Sequence, residues 1–435
     1  MKIIPARRLN GRLSLPGDKS ISHRAAIISA LAKGTSRISN FSSSADCAAT
    51  LSCLERLGVA VEVAGTNVEI SGGTLRRPDN DLYCGNSGST IRMLTGVLAG
   101  QNFSSTLTGD HSLSRRPMER VIEPLTKMGA EVRSNEGKPP LTVRGVSPLL
   151  PVRYELPVAS AQVKSCVLLA GLNAAGPTEV IEKHETRDHT ERMLNWFGVP
   201  VLSNMIDGQV CSILAIEHPV SFVARDLSVP GDVSSAAFLI AAAALLPGSD
   251  LEIVDVGLNP TRTAFLRWLR SVVFRLEVIE ETVECNEPRG NIHVHEIREA
   301  GPAETGTVQL LRGGLIAELI DELPLVAVVG SQISGGIEIR DAGELRHKES
   351  DRIKTTIVNL RAMGADVEEF ADGLRVNGPT RLRGARIDSF GDHRIAMAFT
   401  VAALLAEGES EIVDDDCVGV SFPEFFNVLS SLTEG

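Results

Sequence analysis

At 435 residues the chain is long enough for two or three domains with ample core, and its 43% hydrophobic and 23% charged content is that of a globular protein. A formal net charge of −12 argues against a general binder of nucleic acid or acidic membrane, which would carry a basic face. It leaves room for anionic small substrates, because a few lysines and arginines make a cleft locally positive.

The N-terminal MKIIPARRLNGRL has no apolar stretch of signal-peptide length. The longest apolar run, FLIAAAALLP at 238–247, is too short to span a bilayer. Seven cysteines, at 47, 53, 84, 166, 211, 285 and 417, are odd in number and form no CxxC, so reduced thiols in a cytoplasmic protein are expected. Two tryptophans and two tyrosines give no aromatic platform for bases.

Taken in order, the chain leaves a strand at Leu15-Pro16-Gly17 and enters a helix whose start is crowded by Asp18, Lys19, Ser20 and Ser22. An Ala/Ile/Leu run, a Gly34 stop and a short strand follow. Free N–H groups and the helix dipole at such a start favour a phosphate or carboxylate. The same pattern of polar turn, small-residue helix and β-branched strand recurs at 84–107, 157–181, 230–253, 319–339 and 390–412. Anchored on Gly17, Gly85, Ala159, Gly231, Asp321 and Gly391, the steps are 68, 74, 72, 90 and 70 residues. A more amphipathic second helix follows each copy, at 46–62, 115–132, 187–201, 259–278, 350–367 and 421–432. Four of these end in a Gly that supplies a left-handed C-cap before a strand; the copy at 259–278 lacks it and the last runs to the C-terminus.

These repeats predict an α/β fold of six units, each roughly strand, helix, strand, strand, helix, strand, arranged as two lobes of three. Leu13-Ser14-Leu15-Pro16-Gly17-Asp18 nearly repeats as Leu227-Ser228-Val229-Pro230-Gly231-Asp232, which marks two crossovers. One lobe is then expected at 17–230 and the other at 1–16 plus 231–435, with an active-site cleft between them.

The helix starts carry the candidate chemistry. Lys19, Ser20 and Arg24 combine a point charge with a planar fork, suited to a doubly charged anion. Gly85-Asn86-Ser87-Gly88-Ser89-Thr90 is a nest-forming turn with Arg92 just inside, and Gly88 lets a ligand approach the backbone. Ser160-Ala161-Gln162-Val163-Lys164 offers neutral donors and one cation, suited to a polyhydroxylated ring. An Arg of Arg115-Arg116-Pro117 faces the same end. Asp321-Glu322, His347-Lys348-Glu349-Ser350-Asp351-Arg352 and Asp392-His393-Arg394 set carboxylates among cations, as proton transfer on phosphorylated substrates requires. His293 and His295 alternate on a strand without an acidic partner at metal-site spacing, and His184 and His189 read as cap or surface residues, so no metal is expected. No G-x-S-x-G elbow and no cysteine at a polar helix start supplies a nucleophile.

Eight ordered motifs, PGDKSISHR, GNSGSTIR, the RRP loop, ASAQVKS, ETRDHTERM, LIDELP, RHKESDRIK and GDHRIAMAF, resemble the 5-enolpyruvylshikimate-3-phosphate synthases over about residues 5–428. The resemblance implies a two-lobed inside-out α/β barrel of six βαβαββ-type units, three per lobe, and a shikimate-pathway transferase and glyphosate target, without metal or organic cofactor. It would move the enolpyruvyl group of phosphoenolpyruvate to the 5-hydroxyl of shikimate 3-phosphate through a tetrahedral intermediate. By position, Lys19, Ser20, Arg24, Ser160, Ala161, Gln162, Thr186, Asp321 and Lys348 would hold shikimate 3-phosphate. Lys19, Gly88, Arg116, Gln162, Arg352 and Arg394 would hold phosphoenolpyruvate. Lys19, Asp321 and Glu349 would carry the chemistry. A monomer is expected, with these two small molecules as partners and no nucleic acid or membrane.

The chain departs from the family pattern where Val420 stands near a usual lysine, Glu344 near a usual asparagine, Arg187 at a position aromatic in some members, and Ser89 and Met93 in place of a common Thr and Pro. Two alternatives stand beside this reading. UDP-N-acetylglucosamine enolpyruvyl transferases share the fold and chemistry but usually carry an Asn after the first-motif lysine, where this chain has Ser20, and a reactive Cys in the loop that here, at 108–120, has none. A non-catalytic binding protein on the same fold would have lost the acid/base groups that this chain retains.

Overall fold

The computed structural model describes residues 1–206, 208–214, 220–272, 276–295 and 306–434. The chain forms two compact units, one of Met1–Leu15, Gly231–Thr282 and Pro288–Gly435, the other of Pro16–Pro230 and Val283–Glu287.

In the unit built on Pro16–Pro230 the helices are α1 (Lys19–Leu31), α2 (Ala45–Arg56), α3 (Gly88–Ala99), α4 (Glu119–Lys127), α5 (Ala161–Gly171) and α6 (His189–Trp196). α1, α3 and α5 are buried nearly all round, because small and aliphatic residues leave them no polar face. They pack on one another and form the centre of the unit. Three four-stranded sheets lie outside them, each with one buried and one exposed face, as in the alternation eBeBei of Asn67–Gly72.

The sheets share one design. A parallel pair flanks the inner helix, and two antiparallel strands complete the sheet. The second repeat is βαβαββ in full: Leu82–Tyr83, α3, Ser104–Thr108, α4, Glu131–Asn135 and Lys138–Arg144. Gly58, Gly129, Gly198 and Gly364 all follow a second helix with positive φ, so the expected left-handed caps are present.

The other unit follows the same plan with α7 (Val233–Leu245), α8 (Ala264–Val272), α9 (Gly314–Leu319), α10 (Leu323–Gly330), α11 (Arg352–Ala362), α12 (His393–Leu405) and α13 (Phe425–Leu432). α7, α10 and α12 are its buried inner helices. Of the second helix expected at 259–278, residues 273–275 lie outside the described residues.

Two strands are exchanged. Arg8–Ser14 precedes α1, yet it pairs in parallel with Asp250–Gly257, the strand after α7. Leu227–Ser228 precedes α7, yet it pairs in parallel with Gly34–Ser39, the strand after α1. The near-identical LSLPGD and LSVPGD are the exits of these two lead strands. The sixth sheet is completed from the far end of the chain, where Lys2–Ile3 lies antiparallel to Ser410–Val413. Among the described residues the six small sheets lie outside central helices, as the expected inside-out α/β fold requires.

Candidate active site

Each unit gathers its three polar helix starts at one end. In the Pro16–Pro230 unit, Asp18, Ser87 and Ser160 cap α1, α3 and α5 by accepting from the N–H groups of Ile21, Thr90 and Val163. Lys19 Nζ sits 2.8 Å from Asp46 Oδ2, with both side chains largely buried. Thr90 Oγ1 donates to Asp46 O at 3.4 Å, and Thr50 and Thr90 share a 2.7 Å bond, which fixes the starts of α1, α2 and α3 together. Gln162 joins the start of α5 to α3: its Nε2 donates to Ser89 Oγ at 2.9 Å, and its Oε1 accepts from Arg92 Nη1 at 2.6 Å. Arg116 reaches the same turn and donates to Asn86 Oδ1 at 2.6 Å. A Cβ on Gly88 would lie 2.7 Å from Arg92 Nη1 and 3.3 Å from Arg116 Nη1, so the absence of a side chain there makes room for two guanidinium groups. Three helix N-termini, a lysine and two arginines thus converge, an arrangement suited to anionic oxygen.

Arg24 is turned inward. Its Nε donates to Thr190 Oγ1 (2.7 Å), Nη1 to Ser20 O (2.8 Å) and Nη2 to Ser165 Oγ (2.7 Å). Arg187 Nη1 donates to Ser20 Oγ at 3.4 Å. The hydroxyl of Thr186 donates to Glu182. Lys164, expected to be a ring-facing cation, is instead 1% exposed and bonded to Glu182 (2.7 Å), Glu191 (2.8 Å) and Thr186 O (3.2 Å). Those carboxylates outweigh the burial and raise its pKa. Two carboxylates face this one ammonium, so burial, with Glu191 adding to it, raises Glu182 although Lys164 opposes. Ala161 is the first residue of α5.

In the other unit the cations are held by carboxylates. Arg352, at the start of α11, is 2% exposed, and Asp321 Oδ1 (3.5 Å), Glu349 Oε2 (2.6 Å) and Asp392 Oδ2 (2.8 Å) surround its guanidinium. Lys348 Nζ lies 3.5 Å from the same Asp321 oxygen. Burial opposes the Arg352 charge, but Asp392 and Glu349 more than offset it and the pKa is raised. Asp392 also caps α12 through the N–H of Arg394. Arg394 Nη1 lies 3.4 Å from Glu322 Oε1, which also accepts from Ser234 at the start of α7. Arg262 Nη2 donates to Ser234 Oγ at 2.6 Å. Lys348, Glu349, Arg352, Asp321 and Arg394 are therefore linked through shared partners.

Other expectations change. His189 is not a cap or surface residue: it is 1% exposed, and Nδ1 lies 2.8 Å from Glu287 Oε1. His293 and His295 do have acidic neighbours, Asp250 at 2.6 Å and Glu277 at 3.5 Å, which adjacent strands supply. Among the described residues no group of three or more His, Cys, Asp or Glu is arranged to hold a metal ion. All seven cysteines are free thiols, and burial pushes Cys47 and Cys166 up to about 12. Val420 ends the 3₁₀ turn Asp415–Val420, and Glu344 lies in the turn Gly343–His347. Met93 is fully buried. No described helix is long and apolar enough to cross a membrane.

Sequence reading did not single out Asp46, Ser234 or Arg262. Their partners lie 27 to 88 residues away, a relation no local motif carries. Arg92 was legible, one helical turn beyond Gly88 on the same face.

The fold is that of an enolpyruvyl transferase: NikO from Streptomyces tendae superimposes with a TM-score of 0.76 over 99% of this chain and 96% of its own, and at 18% identity that likeness is one of fold alone. The family model for EPSP synthase (3-phosphoshikimate 1-carboxyvinyltransferase) matches residues 3–429, and the chain belongs to that family. The EPSP synthase of Acinetobacter baumannii is 37% identical, with a TM-score of 0.84 over 99% of this chain and 98% of that one. The 3-phosphoshikimate 1-carboxyvinyltransferases of Koribacter versatilis and Solibacter usitatus are 50% and 48% identical, each covering 100% of this chain and 99% of the relative.

Proposed function

We infer that this chain transfers the enolpyruvyl group of phosphoenolpyruvate to the 5-hydroxyl of shikimate 3-phosphate, releasing phosphate, and acts in the cytoplasm as a single copy. Family membership and full-length relatives at up to 50% identity support the reaction. The observation that carries the mechanism is the Arg352 cluster, where one buried guanidinium holds both Asp321 and Glu349.

In the first step Asp321 takes the proton of the 5-hydroxyl as its oxygen bonds to C2 of phosphoenolpyruvate. Glu349, with Lys19, delivers a proton to the methylene carbon, giving a tetrahedral intermediate with a methyl group. In the second step Glu349 recovers a proton from that methyl, the C=C bond re-forms and the C–O bond to phosphate breaks. Protons balance over the two steps, since the 5-hydroxyl proton leaves with phosphate or solvent. General acid–base assistance of this kind is worth about 10²–10⁴-fold.

By position in the family's motifs, each anion has its own contacts. Gly88, Arg116, Gln162, Lys19, Arg352 and Arg394 serve phosphoenolpyruvate. Ser20, Arg24, Ser160, Ala161, Gln162, Thr186, Lys19, Asp321 and Lys348 serve shikimate 3-phosphate. Bidentate guanidinium and a positive helix start suit the phosphate and carboxylate, and small hydroxyl and amide donors suit the ring.

Phosphate release from phosphoenolpyruvate tests the reading, with shikimate 3-phosphate and UDP-N-acetylglucosamine compared as acceptors. Release with shikimate 3-phosphate alone is expected. Release with the sugar nucleotide alone would overturn the acceptor assignment, and release with neither would overturn the reaction.

A further inference from the structure

Behind the start of α5 lies a buried charge cluster for which the reaction has no direct use. Lys164 Nζ meets Glu182 at the end of strand Thr178–Glu182, Glu191 on α6 and the carbonyl of Thr186 in the loop at 183–188. Glu182 accepts in addition from the Thr186 hydroxyl, and Ser212 Oγ donates to Glu191 at 3.1 Å. One ammonium therefore ties a helix, two strands, a loop and a second helix.

As a device for stability this is a poor choice. Desolvating three charges is costly, and apolar packing of the same volume is often as stable or more so. Its neighbours suggest what it is for. Ser165, next to Lys164, and Thr190, next to Glu191, are the two hydroxyls that accept from Arg24 and bond each other at 2.7 Å. Lys164 lies one turn beyond Ser160, its N–H donating to Ser160 O at 3.0 Å. Arg187, which follows Thr186, reaches Ser20. Of the residues assigned to shikimate 3-phosphate in this unit, Ser160, Ala161, Gln162 and Thr186 lie on elements that Lys164 clamps, and Arg24, on α1, is bonded to two of those elements through Ser165 and Thr190, whereas the turn at 85–90 rests on α3.

We infer that Lys164 is a positioning residue for the acceptor: through Glu182, Glu191 and Thr186 it sets the seats of Arg24 and the loop at 183–188, without touching substrate. The inference rests on the function proposed above.

Steady-state kinetics on Lys164→Met and Glu191→Gln test it. Lys164→Met fills the same space but leaves two carboxylates facing each other. It should raise KM for shikimate 3-phosphate by about tenfold or more, with kcat and KM for phosphoenolpyruvate within about twofold. Glu191→Gln, which keeps the Lys164–Glu182 pair, should raise the same KM by about threefold. An unchanged acceptor KM in folded Lys164→Met would overturn the inference, as would a parallel loss in kcat and both KM values, the mark of general loosening. If Lys164→Met yields no folded protein, Glu191→Gln decides by the same criteria. Should the unmodified enzyme show no turnover with shikimate 3-phosphate, the functional reading fails first and takes this inference with it.

Discussion

Glu349 is bonded to Arg352 through a single carboxylate oxygen at 2.6 Å, a contact that an amide of the same shape can keep. Glu349→Gln should therefore leave both KM values little changed and lower kcat by about 10²–10⁴-fold, the usual worth of a positioned acid or base. A kcat within tenfold of the unmodified enzyme would remove Glu349 from proton transfer. His23 offers a separate test, of stability. It is fully buried, and that burial, reinforced by Lys19 and Arg24, holds its imidazole well below the ordinary 6.5. Below pH 6.5 the unfolded chain takes up a proton there that the folded chain refuses. Stability is thus complete above that pH and falls on acidification, by at most about 1.4 kcal/mol per pH unit from this group. Urea melts at pH 7.5, 6 and 5 should show a shallower decline for His23→Gln; equal declines would assign the acid sensitivity elsewhere. At this scale the sequence shows which residues stand at helix starts, so Lys19, Gly88 and Gln162 were legible. It does not show what a side chain meets across the fold. Lys164 and His189 were misread because Glu182, Glu191 and Glu287 come from other elements.

Among whole elements, the inner helices and the strands that follow them could be read in all six repeats, because the small-residue run and the β-branched strand are both local signals. One recurring feature could not. Gly72, Gly145 and Gly378 each follow or end the last strand of a repeat, where that strand crosses the C-terminal end of its inner helix. A Cβ on Gly72 would lie 2.0 Å from Ser29 O, on Gly145 2.2 Å from Gln101 O, and on Gly378 2.5 Å from Ile333 O. Backbone oxygens cannot rotate away as a side chain can. The crossing therefore admits only hydrogen at that carbon. Gly145→Ala should cost roughly 2–3 kcal/mol by forcing backbone to move, and lower the melting temperature by several degrees without altering either KM. A melting temperature unchanged in calorimetry would show that the crossing is looser than its geometry. This signal is invisible to periodicity, since it records distance between backbones and not burial of side chains.

For the whole molecule, the repeated LSLPGD and LSVPGD were enough to mark two crossovers, but not to show that the lead strands trade places. The trade makes the two units unequal as separate chains. Residues 16–230 contain every strand of their three sheets. Residues 231–435 lack Arg8–Ser14, which lies between Asp250–Gly257 and Thr433–Glu434, and Lys2–Ile3, which edges the sixth sheet. Expressed alone, 16–230 should melt cooperatively by circular dichroism, weakened at His189 for want of Glu287. The fragment 231–435 should melt without cooperativity until a peptide of residues 1–15 is added. Cooperative melting of 231–435 alone would show that the exchanged strand is dispensable.

The exchange also sets a clock. The strand Arg8–Ser14 is made before residues 16–230, but its partner Asp250–Gly257 emerges some 240 residues later. A ribosome adding about 5–20 residues per second imposes a wait of roughly 10–50 s, longer than most small domains need to fold. Residues 16–230 are complete before that wait ends, so a strand made before them is placed only after them.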